Sequence, residues 1–304
     1  MNIRLKIIFL VLNLVTVLNL NSQIASVFND FKFGDSINIV QKELSKISDF
    51  IKVIEISKPK FPLAKHTETH LLAYKIRIKS KTLEKAVFTF SDNRLCYIEA
   101  KGNVLKVFGE NRNDKPQNFL GYQVFTNDLL FINKKEDTAW ILTPESTHPN
   151  LFTWNNPLLI DSNKSMNYNT SVKIPEFIEM GGSLKNELTK FEKESQIIQV
   201  DDLDGSDPNA QIQVNAYGIE YAGFPRKFEA RFGNDKLNMI WILTSNGEED
   251  RIRKKLIKEY GKPIFININW EFFHNWTVAL RKDKPEVLFL TKELGMQYKK
   301  RLNN

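Results

Sequence analysis

The sequence predicts an α+β fold of two tandem pseudo-repeats, each a mainly antiparallel sheet of about five strands with two helices. Three observations predict it. Sequence blocks recur in the same order at a nearly constant offset of about 142 to 148 residues. The recurring blocks read as β-hairpins, with polar turns between apolar arms. Each set of hairpins follows a stretch in which apolar residues return at helical spacing. A chain of 304 residues is long enough for two domains of ordinary size.

The chain begins with the three parts of a secretory signal. Arg4 and Lys6 form a positive region, Ile7 to Leu20 an apolar stretch, and Asn21-Ser22-Gln23 supplies a small residue for cleavage. A membrane-spanning helix needs roughly 20 apolar residues, more than this run offers. The expected division is a signal peptide over 1–22, a first repeat over 23–160, a linker over 161–173 and a second repeat over 174–304. It predicts export to the periplasm or the extracellular space, with no transmembrane segment after cleavage.

Gly34-Asp35-Ser36-Ile37 opens the first repeat, and Val40 and Leu44 follow at helical spacing. Its counterpart is Gly182-Ser183-Leu184 before Leu188 and Phe191. A glycine, a capping side chain and periodic apolar residues predict helices over about 35–49 and 183–195. The second block sets Phe90, Asp92, Asn93 and Leu95 against Phe232, Asn234, Asp235 and Leu237. Asp and Asn tolerate the left-handed backbone of a tight hairpin, so both blocks predict one. In the third block Lys134, Leu142, Thr143 and Glu145 repeat as Lys282, Leu290, Thr291 and Glu293, which predicts a further hairpin with a charged tip. Between the hairpins of the second repeat, acids at Glu248-Glu249-Asp250 precede bases, and Gly261 and Pro263 follow. That order marks a helix. The matching stretch of the first repeat, about 102–118, keeps Val104, Leu105, Val107 and Phe108 and then turns Asn-rich. The predicted helices cover one face of each sheet.

Apolar residues at 42% and charged residues at 26% exclude a disordered chain. The net charge of +7 is scattered, and no basic stripe with interleaved aromatics appears, which argues against nucleic acid as a partner. The single Cys96 excludes an internal disulfide; its apolar neighbours Leu95, Tyr97 and Ile98 read as core.

Two clusters have metal-ligand chemistry. In His66-Thr67-Glu68-Thr69-His70 a strand would put His66, Glu68 and His70 on one face, where two imidazoles and a carboxylate suit zinc or copper. Asp201-Asp202-Leu203-Asp204-Gly205-Ser206-Asp207 offers hard oxygen ligands on a glycine turn, although its spacing is not that of an EF-hand. No nucleophile elbow and no phosphate loop are present. His148 precedes a proline, and His274 lies among aromatics. No catalytic residue and no cofactor is therefore assigned. The aromatic residues of the second repeat are the remaining signal. Trp270, Phe272 and Trp276 alternate as on one face of a strand, and Trp154 lies in a loop. These four are the candidate binding residues.

The order Gly-[Asp/Gly]-Ser, helix, strand and a hairpin with Phe-x-x-x-x-Leu resembles small periplasmic α+β modules. The outer-membrane assembly lipoproteins of the SmpA/OmlA type and the tandem-repeat β-lactamase inhibitor proteins are of this kind. This chain lacks the lipid-bearing cysteine of the first and the disulfides of the second, so no functional residue carries over. The resemblance implies a module that binds proteins. The expected function is an exported, non-enzymatic interaction protein of the bacterial envelope whose partner is another envelope protein or a polymer. The alternative is a hydrolase, or a metal- or cation-binding protein, with its site between the repeats.

Overall fold

The computed structural model describes Phe28 and residues 30–110, 112–160 and 169–303. The predicted signal peptide and most of the predicted linker lie outside the described residues. The chain forms two compact units; the segment His148–Pro157 belongs to the second.

In the first unit the order is α1 (Ile37–Ile47), β1 (Phe50–Ile56), β2 (Glu68–Ile78), β3 (Lys81–Ser91), β4 (Arg94–Lys101), β5 (Gln117–Phe119), β6 (Tyr122–Phe125), β7 (Leu130–Asn133) and β8 (Thr138–Leu142). In the second it is α2 (Leu184–Glu194), β9 (Ile197–Asp202), β10 (Ile212–Tyr221), β11 (Phe224–Gly233), β12 (Lys236–Leu243), α3 (Glu249–Tyr260), β13 (Phe265–Ile266), β14 (Trp270–Phe273), β15 (Val278–Arg281), β16 (Glu286–Leu290) and α4 (Lys292–Asn303). Each sheet has eight antiparallel strands, ordered β1-β2-β3-β4-β8-β7-β6-β5 and β9-β10-β11-β12-β16-β15-β14-β13.

The two strand orders are the same, as an internal repeat requires. Details of register repeat as well. The β3–β4 ladder shifts between Thr89 and Phe90, and the β11–β12 ladder shifts between Arg231 and Phe232. Both hairpins turn on consecutive left-handed residues, Asp92-Asn93 and Asn234-Asp235. Physical contact explains why the first two sequence blocks are kept together. Asn93 Oδ1 accepts the N–H of Ile37 at 3.2 Å, and Asp235 Oδ1 accepts that of Leu184 at 3.1 Å. In both units the hairpin thus caps the helix start, where backbone donors have no partner within the helix. The lead-in segment also pairs with the hairpin, through Gly34 N to Leu95 O at 2.8 Å and Gly181 N to Leu237 O at 2.9 Å. Gly34 and Gly181 have φ of +87° and +91°, a conformation that a side chain would strain.

Three expectations need correction. Each sheet has eight strands rather than about five. The strands missed are short, and those beyond the first hairpins lack strong alternation. Helices are unevenly divided: among the described residues the first unit has one α-helix and the second has three. In the first unit the worn stretch makes a single π turn, Leu105–Gly109, then β5. Third, helices cover both faces of the second sheet. Alternate residues decide this. Phe228, Ala230, Ile240 and Ile242 face Phe191 of α2 and Ile252 and Leu256 of α3. Their neighbours Met239 and Trp241, with Leu288 and Leu290, pack instead with Leu294, Tyr298 and Leu302 of α4. In the first unit Val40 and Leu44 of α1 pack on Leu71, Phe88, Phe90, Leu95 and Ile98.

Cys96 is buried, hydrogen-bonded to Ser91 and Thr89, and burial pushes its thiol up to about 12. It is a core residue, inert as a nucleophile.

Candidate binding site

The structure brings Glu68 and His70 together and leaves His66 apart. Both Glu68 and His70 are buried on β2, with His70 Nε2 2.8 Å from Glu68 Oε1. The other ring nitrogen of His70 lies 3.0 Å from Thr89 Oγ1, and Glu68 Oε2 accepts the N–H of Phe61 at 2.8 Å. Burial acts to raise the Glu68 carboxyl. The His70 ring and the N–H groups of Phe61 and Lys60 outweigh it and hold that carboxyl below its ordinary range. His66 precedes the strand and is exposed; its backbone N–H is bound by Asp92 Oδ1 at 2.8 Å. The pair therefore anchors the loop before β2, and its lone pairs are spent within the fold.

In the acidic stretch, Asp204 accepts from Ser206 N at 2.9 Å and Asp207 from Asn209 N at 2.8 Å. Those are local turn bonds. Among the described residues no group of three or more His, Cys, Asp or Glu side chains is placed to hold a metal ion.

The aromatic residues converge further. Trp154 stands apart from the other three, half-buried with its ring 5.5 Å from that of Phe224. Trp270, Phe272 and Trp276 form one cluster on the α4 face of the sheet, with ring centroids 5.6 Å apart for Trp270–Phe272 and 4.7 Å for Phe272–Trp276. Phe272 is wholly buried. Trp270 is half-buried beneath the Arg281 guanidinium, 5.4 Å above its ring, and beside Tyr298. An unbroken strand would carry Trp276 on the face of Phe272. The strand in fact ends at Phe273, and a tight turn returns Trp276 to the same cluster. His274 goes the other way, to Tyr260 of α3 at 5.5 Å.

That turn is strained. His274, Asn275 and Trp276 have φ of 44°, 54° and 69° in succession. Left-handed backbone costs a residue with a side chain about 1 kcal/mol or more, and such strain gathers at binding sites. The turn is held down by α4. A Cβ on Gly295 would come within 2.5 Å of the Trp276 carbonyl oxygen, so glycine sets the approach of helix to turn. Gly295→Ala is expected to push α4 outward and cost about 1–3 kcal/mol. The check is denaturant unfolding together with Trp fluorescence, which should report a changed setting of Trp276.

Beside this turn lies an open cavity of about 440 Å³, lined by Ile264, Phe265, Trp276, Met296 and Lys299 among others. β13 forms one wall and is the outermost strand of its sheet. Phe265 points inward, 5.0 Å from the Trp276 ring. Ile264, Ile266 and Ile268 alternate with it and are 54%, 56% and 86% exposed, while Met296 across the cavity is 54% exposed. These four are half of the large apolar side chains exposed among the described residues. Scattered exposed apolar residues need no explanation; a concentration beside a cavity does. The Ile-x-Ile-x-Ile alternation and the helical spacing of Leu294, Tyr298 and Leu302 were both readable signals. Of the four aromatic residues singled out from the sequence, Trp276 lines the cavity, Trp270 and Phe272 pack with it in the same cluster, and Trp154 lies elsewhere.

No protein-family model, no curated protein and no solved structure matches this chain.

Proposed function

We propose that this chain is an exported, non-enzymatic interaction protein of the bacterial envelope, and that it holds another envelope protein or a polymer in the β13–α4 groove. One observation carries the reading: exposed Ile264 and Met296 line a cavity between an edge strand and α4 beside a strained turn, and exposed Ile266 and Ile268 follow Ile264 along the chain. An edge strand offers unpaired backbone groups, and an apolar wall offers burial, so the site has the two ingredients of partner capture. Export rests on the leader-like sequence of the first 22 residues. No helix among the described residues is long and apolar enough to cross a membrane.

The test compares the parent chain with Ile268→Asp combined with Met296→Asp in retention of components from envelope extracts. Both sites are exposed, so unfolding curves should be unchanged. The expected result is a defined component retained by the parent and lost by the variant. Equal retention by both, or turnover of a hydrolase substrate abolished by the same variant, would sink the reading.

A further inference from the structure

We propose that the occupant of this groove is an extended, acidic segment of another protein, added as one more strand outside β13. The inference rests on the groove being a partner site, and names the partner's chemistry.

Strand addition follows from the geometry of β13. Its inner side is paired with β14, through Ile264 N to Phe272 O at 2.8 Å and Asn267 N to Trp270 O at 2.9 Å. Among the described residues no strand neighbours its outer side. Ile264 and Ile266 are exposed on one face of this short extended segment, and Ile268 follows in the Asn267–Trp270 turn, so a strand laid alongside would set its own alternate side chains against Ile264 and Ile266. The fold does not require this edge to be apolar. The equivalent outermost strand of the first unit, β5, reads Gln117-Asn118-Phe119, and among the described residues of that unit no α-helix follows β8.

Charge selects the occupant. Lys299 lines the cavity and is exposed. Lys292, Met296, Lys299 and Asn303 recur on α4 at spacings that share one side of the helix. The carboxylate on the neighbouring strand, Glu271 opposite Ile266, is buried and bound to Arg253 at 2.8 Å. Lys299 has no carboxylate within ion-pair distance among the described residues. A strand with alternating apolar and acidic residues would fill the apolar wall and pair the lysines. A second copy of this chain fits worse. Edge-to-edge pairing would set two basic rims together, in a chain whose net charge is +7.

The experiment uses the intact chain and short labelled peptides, one alternating valine and glutamate, the other valine and lysine. Fluorescence polarisation and amide exchange of β13 are the readouts. The acidic peptide is expected to bind and to slow exchange in β13. Lys299→Glu should weaken it by about fivefold or more, the scale of an exposed charge pair and its reversal. Ile266→Lys should abolish it; because each variant changes an exposed residue, its unfolding curve is expected to match the parent. Equal binding of the lysine peptide would overturn the acidic assignment while leaving the groove as a partner site. Acidic binding that persists in Ile266→Lys would place the peptide elsewhere and overturn strand addition. A dimer in sedimentation that Ile266→Lys dissolves would make a second copy the occupant, against the proposal. Loss of the groove reading itself is detected separately, by equal envelope retention in the Ile268→Asp, Met296→Asp variant.

Discussion

Acidification from about pH 7 to about pH 5 is expected to remove about 2 kcal/mol from the stability of the second unit through one side chain, His148. Its ring is buried against Phe224, with centroids 5.9 Å apart, and neither ring nitrogen has a hydrogen-bond partner among the described residues. Burial first, and then the nearby Arg226 charge, push its pKa from the ordinary 6.5 down to about 3. The sign follows from proton uptake. Below pH 6.5 the unfolded chain takes a proton on His148, whereas the folded chain stays neutral until pH falls to about 3. Stability is therefore complete above the unfolded value and is lost on acidification, by about 1.4 kcal/mol per pH unit within that window. His148→Leu removes the titration and leaves no orphaned nitrogen, so at neutral pH it should cost little or stabilise. Urea unfolding across this range should give a shallower pH slope for the variant than for the parent. Parallel slopes would show that His148 is not the group responsible.

Breaking the Arg226–Glu248 pair is expected to cost about 3–5 kcal/mol, the usual price of stranding a buried charge. Arg226 heads the wholly buried side chains by size among the described residues, and Glu248 is 5% exposed. The two meet through both terminal guanidinium nitrogens, with Nη2 2.9 Å from Oε2. Arg226 Nε also donates to the Tyr221 carbonyl at 3.1 Å, and Glu248 Oε1 accepts the Ser245 N–H at 2.7 Å. Glu248 is the residue just before α3, and its carbonyl accepts the N–H of Ile252 at 3.0 Å. The pair thus ties the start of a helix to β11. Arg226→Met leaves the carboxylate buried alone, and Glu248→Gln leaves the guanidinium alone. The double variant leaves no full charge behind and should recover much of the loss, giving a coupling energy well above the additive expectation of zero. Thermal unfolding of the four proteins measures it; additive losses would show that the charges act independently. Amide exchange should also show α3 opening before the sheet in each single variant.

Much of the architecture could be read from the chain. Gly34 and Gly181, the Asp92-Asn93 and Asn234-Asp235 turns, and the Leu95 and Leu237 positions are short-range devices, and each forces the same local geometry wherever it occurs. Hence the repeat and its hairpins were legible. Trp276 joins the aromatic cluster by another route than an unbroken strand: a left-handed turn, packed against Gly295 and closed by Thr277 N–H to His274 O, returns it there. His66 stands apart from Glu68 and His70 because alternation presumes a strand, and β2 begins only at Glu68. Asp92 binds the backbone of Lys65, His66 and Thr67 and holds His66 in a turn before β2 begins.

The sequence by itself determined the duplicated unit, the α+β class and the core position of Cys96, because capping, turn chemistry and apolar period act between residues close in the chain. Tertiary structure decided the rest. Asn150 shows why: its amide donates to Leu243 O at 2.9 Å and accepts the Lys227 N–H at 2.8 Å, closing the end of the β11–β12 ladder with a side chain from far upstream. No local pattern announces such a bond. The same holds for the groove, where an edge strand, a turn and a terminal helix supply one wall each. Its apolar residues were visible as letters, but exposure is a property of what packs nearby, and that is settled only when the sheet is complete.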